Sequence, residues 1–83
     1  MSREKLVHMA NQIAGFFKSQ PQDTAIAGVA EHINSYWEPR MRNELFAIMD
    51  QGGEGLSALV MSARRLIRIP GSDQAITKSP DPL

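Results

Sequence analysis

The chain has 83 residues, with nine basic and nine acidic side chains, two His and no Cys. That length supports one small domain, and the lack of Cys excludes a disulfide staple, a thiolate metal site and a cysteine nucleophile. A formal charge of zero argues against a general binder of phosphate backbones, which needs a basic excess to displace counterions.

Pro and Gly punctuation leaves four stretches of helical length and spacing. The first is predicted from Arg3 to Lys18, with Ser2 as N-cap and a stripe of Leu6, Met9, Ala10, Ile13, Phe16 and Phe17. The second is predicted from Thr24 to Trp37, capped by Asp23, with Ile26, Val29, Ala30, Ile33, Tyr36 and Trp37 as its stripe. Glu38 precedes a proline and is pushed out of the helical region, so a bend is expected before a third helix starting at Pro39. Its stripe is Leu45, Ile48 and Met49, with Met41, Arg42 and Phe46 alongside and Gly52 as the C′ residue. The fourth is predicted from Leu56 or Ser57 to Ile69, with Arg64, Arg65 and Arg68 crowding its last turns. No segment alternates with period two. The fold expected is an all-α bundle of four short helices over residues 1–70, followed by a disordered tail at 71–83. No apolar run approaches the roughly 20 residues that cross a bilayer, and MSREKLVHMANQ contains no continuous apolar core, so no membrane contact, no signal peptide and a cytoplasmic location are expected.

A core of this size seldom supplies more than about 3–5 kcal/mol without staples. Some apolar residues also exceed what the bundle can hide. Adjacent helical positions point about 100° apart, so Phe16 and Phe17 cannot share one narrow stripe, nor can Tyr36 and Trp37. This excess, gathered near the bend into the third helix, points to a docking surface. The partner-binding residues expected are Phe17, Tyr36, Trp37, Arg40, Met41 and Arg42, with Trp37 as the anchor and the arginines meeting carboxylates or carbonyls. The competing reading is that the aromatics fill and cap the core.

Chemistry of other kinds finds little support. Glu4 and His8 stand four apart on one helix face, but two ligands do not make a structural metal site. No serine stands in a nucleophile motif, and Gly52-Gly53-Glu54-Gly55 is a turn without the strand or Lys-Ser/Thr of a phosphate loop. PRMRNELFAIMD turns apolar and acidic after Arg40, Arg42 and Asn43, which is poor material for a DNA-reading helix. Gly15 and Gly28 lie inside predicted helices and call for a close backbone approach to offset their cost.

ANQIAGFF (10–17), GVAEHINSYWEPRMRNEL (28–45) and GGEGLSALVMSARRL (52–66) together resemble the delta subunit of the cytoplasmic NAD-dependent formate dehydrogenases. The most specific part is Trp37-x-Pro39-Arg40-Met41-Arg42 followed by Gly52-Gly53-x-Gly55-Leu56. The resemblance implies a small non-catalytic subunit that supports assembly, stability or molybdenum-cofactor loading of a large catalytic subunit. It also implies a complex whose other chains carry a molybdenum bis-pterin guanine dinucleotide, iron–sulfur clusters, FMN and NAD, with none bound by this chain. Clusters need thiolates, and this chain has none. Two alternatives remain open: a self-associating helical module, giving a homo-oligomer in isolation, and a small DNA-binding regulator.

Overall fold

A computed structural model describes residues 1–71. The expected tail beyond Gly71 lies outside the described residues. Among those described, the secondary structure is four α-helices and no strand, in keeping with the all-α bundle. α1 (Arg3–Phe17) opens where Ser2 stands extended and its Oγ accepts the Lys5 N–H at 3.1 Å. α2 (Gln22–Tyr36) starts directly after Pro21, earlier than the predicted Thr24. Asp23 is therefore not the cap. The proline ring holds φ at −53° and the Pro21 carbonyl already accepts the Ala25 N–H at 2.8 Å. Asp23 instead sits in the first turn, where a carboxylate favours the helix dipole.

Glu38 adopts the extended conformation that a following proline imposes (φ −66°, ψ 158°), and Pro39 opens α3 (Pro39–Asp50). That helix ends in a Schellman motif: Gly53 N–H reaches the Ile48 carbonyl and Gly52 N–H the Met49 carbonyl, at 2.8 and 3.1 Å. Gly52 and Gly53 both have positive φ, and a Cβ on Gly53 would lie 2.5 Å from the Met61 sulfur. Ser57 caps α4 (Ala58–Ala63) by accepting the Val60 N–H at 3.3 Å.

α4 is much shorter than predicted. The chain tightens into a 3₁₀ turn over Arg64–Leu66, and Ile67 is extended. The cause is Asn34 on α2. Its side-chain N–H donates to the Leu66 carbonyl at 3.0 Å and its Oδ1 accepts the Arg68 N–H at 2.8 Å. One amide thus pairs with the backbone on both sides of Ile67, as a neighbouring strand would, and turns Ile67 into the core. Pro70 then bars Ile69 from resuming the helix. Asn11 on α1 makes the same pair of hydrogen bonds before α4: its Nδ2 donates to the Gly55 carbonyl and its Oδ1 accepts the Ser57 N–H, both at 2.9 Å, astride Leu56. Two asparagines on different helices therefore fix both ends of the shortest helix.

α2 lies against α1 and α4, and α1 also meets α3. Leu6, Val29, Ile33, Leu45 and Val60 form the fully buried centre. Arg64 covers the edge of this core, 5.2 Å above the Phe46 ring, and pairs with Asp50 at 2.6 Å.

Candidate docking site

The burial rows of α1 explain where its surplus goes. Leu6, Ala10, Ile13 and Ala14 are buried, and the row of four- and three-residue steps through them continues to Phe17. Phe17 lies across Gly28 of α2, with ring atoms 2.5–3.0 Å from where a Cβ would stand. Gly28 is the close approach that the sequence required; Gly15 is not, since nothing lies within 4 Å of its Cβ position. Phe17, expected to meet a partner, thus packs within its own bundle and is half-buried. Phe16, expected in the stripe, is 80% exposed.

The other expected contacts divide similarly. Trp37, the expected anchor, is 6% exposed and belongs to the core. The reason is local: as the extended C-cap of α2 it follows Ile33 by four residues, its N–H bonding the Ile33 carbonyl at 2.9 Å, and so it continues the inward face. Tyr36, one position earlier, is turned out and 74% exposed. Arg40 is exposed and Met41 half-buried against the core. Arg42 is buried, at 6% exposure, and its Nε has no hydrogen-bond partner.

These placements leave an open apolar groove of about 550 Å³ between α1 and α2. Met9, Ile13 and Phe16 form one wall, His32 the other, and Trp37 lines it as well. Gly15, with no side chain, keeps it open at the α1 side. Tyr36 stacks on His32 with ring centroids 4.8 Å apart, which extends the aromatic rim. The groove is therefore displaced from the bend where the sequence placed the docking surface. A second helical row, Met9, Ile13 and Phe16, was the available signal for it. Met9 is expected in the inward stripe of α1, and neither it nor His32 is assigned to a partner by the sequence, because either residue type fits a filled core as well.

Among the described residues, no three His, Cys, Asp or Glu side chains gather as a metal site would require. No helix there is long and apolar enough to cross a membrane. The geometry offers an apolar recess with aromatic edges, suited to taking up side chains of another protein. No curated protein and no solved structure matches the chain. The family model described as "NADH-dependant formate dehydrogenase delta subunit FdsD" matches residues 5–64, which includes every residue that lines this groove. The chain belongs to that family of formate dehydrogenase delta subunits.

Proposed function

We propose that this chain is a non-catalytic accessory subunit of an NAD-dependent formate dehydrogenase, docking through the α1–α2 groove on the large catalytic subunit. The observation that carries the reading is Phe16: a phenyl ring 80% exposed on the rim of an apolar recess, in a member of a subunit family. An aromatic ring left in water forgoes roughly 1.5–3 kcal/mol of burial, which a partner surface can recover. By binding only the folded, assembled catalytic subunit, the bundle favours that state through mass action. Assembly, stability and molybdenum-cofactor loading are three expressions of this one effect. The donor set of the chain does not suit an iron–sulfur cluster, since thiolates hold such clusters and the sequence has no Cys. The proposed contribution is packing, in the compartment where the complex works, the cytoplasm.

The test is co-purification of the full chain with the catalytic subunit of its own complex, alone and as Phe16→Ser and Tyr36→Ser. Both side chains are exposed, so the variants should melt within about 0.5 kcal/mol of the parent. Binding should weaken at least tenfold. Equal binding by parent and variants would remove the groove from the interface. A parent chain that ignores the catalytic subunit and forms a dimer, lost in Phe16→Ser, would replace this reading with self-association.

A further inference from the structure

The groove holds one side chain of a type that gains and loses charge near neutral pH. His32 is half-buried on its α2 wall. Its ring lies tilted on that of Tyr36, with centroids 4.8 Å apart. Histidine is the residue type whose ordinary titration falls between about pH 5 and 8. Neutral, an imidazole is a flat ring that suits an aromatic rim; protonated, it is a cation with two N–H donors and no acceptor.

Nothing in the groove replaces water around that cation. α1 supplies Met9, Gln12, Ile13, Gly15 and Phe16, and α2 adds Trp37, so His32 is the one lining residue that can carry charge. Tyr36, stacked on it, brings a phenol ring and no carboxylate. The charged groups on α2 and on the elements packed against it line other recesses: Glu31 and Arg68 share one, Lys18 lies in a second, Arg64 and Arg65 in a third, and Arg3 in a fourth. His8, one helical turn before Gln12 on α1, is exposed and does not line the groove, and Glu4 and Lys5 are exposed earlier on the same helix. An apolar surface seated in the groove therefore takes water from His32 and offers no counter-charge, and burying an unpaired charge is costly.

We propose that His32 makes docking in the α1–α2 groove proton-sensitive: the chain docks with a neutral imidazole and is released as acidification charges it. This rests on the docking reading above and adds regulation to the same site. It also states the occupant's chemistry, an apolar segment of the catalytic subunit with no carboxylate at His32. The sign follows from which form is excluded. The docked state holds fewer protons than the free chain, so binding weakens as pH falls, by at most about tenfold per pH unit for a single linked proton.

The experiment measures binding of the full chain to the purified catalytic subunit at about pH 7.5 and about pH 5.5, on either side of the middle of the histidine range. The chains compared are the parent, His32→Gln, His32→Phe and His8→Gln, each also melted alone at both pH values by circular dichroism. The parent and His8→Gln should bind about tenfold more weakly at the lower pH, and both His32 variants should lose most of that dependence. Titration of the catalytic subunit itself moves all four chains alike, so the difference between chains is the readout. Two His32 variants of different shape keep the comparison available if one melts early. An equal loss in the parent and the His32 variants, with Phe16→Ser impaired at the higher pH, would overturn the switch and leave the groove standing. Tighter binding at the lower pH that depends on His32 would mean that a partner carboxylate meets an imidazolium, and would overturn it too. A parent chain already unfolded at the lower pH would assign the loss to the fold, with the same consequence. A folded parent that binds at neither pH would sink the docking reading and this proposal with it.

Discussion

Replacing Asn34 with Ala isolates what one side chain contributes to the end of the bundle. The substitution removes the donor to the Leu66 carbonyl and the acceptor of the Arg68 N–H, at 3.0 and 2.8 Å. A hydrogen bond of this kind contributes about 0.5–1.5 kcal/mol net, and because both are at the surface the lower half applies, giving about 1–2 kcal/mol for the pair. In a domain of this size, 1 kcal/mol moves the midpoint by roughly 4–8 °C, so a fall of roughly 5–15 °C is expected in thermal denaturation followed by circular dichroism. Asn34→Asp separates the two bonds. It keeps an acceptor for Arg68 and loses the donor to Leu66, so the Arg68 amide should stay slow in hydrogen exchange while the midpoint still falls. The reasoning fails if Asn34→Ala melts within about 2 °C of the parent, since the clamp would then contribute nothing measurable. It fails equally if the Arg68 amide of that variant is as protected as before.

The two helical glycines should respond with opposite signs. Gly15→Ala enters open space and should stabilise by about 0.5–1 kcal/mol in urea titration, whereas Gly28→Ala meets the Phe17 ring at 2.5 Å and should cost about 1–3 kcal/mol, recovered in part by Phe17→Leu. Trp37→Ala should cost about 3–5 kcal/mol, comparable to the whole stability of a domain this small, and circular dichroism should show loss of fold; a folded variant with weakened partner binding would return Trp37 to the interface. Gly52→Ala forces a Cβ onto φ 112°, outside the left-handed region open to L residues, so it should lower the melting midpoint more than Gly53→Ala, which sits at φ 69° and meets only the flexible end of Met61.

Much of the backbone was legible because its signals are local. Ser2, Pro39, Gly52 and Ser57 each act within one turn of their own position: the two serines and the proline open helices and Gly52 closes one. α4 is shorter than its sequence predicts because what stops it is remote. Asn34 lies 32 residues from Leu66 and Asn11 lies 44 from Gly55, and an asparagine on a helix face carries no mark of a distant backbone partner. The same limit applies to the site. The sequence shows that neither aromatic pair fits one narrow stripe, since neighbours on a helix diverge by about 100°. Choosing which member required knowing that Gly28 opens a slot for Phe17, and that the α2 inward face runs on through Trp37.

The split of each aromatic pair into one inner and one outer ring separates stability from the docking proposed above. If Trp37 anchors the interface, every substitution of it that weakens binding also touches the core, and the two roles compete for one side chain. With Trp37 inside and Phe16 and Tyr36 outside, the rim can vary at little cost to the fold while the core holds the groove open beneath it.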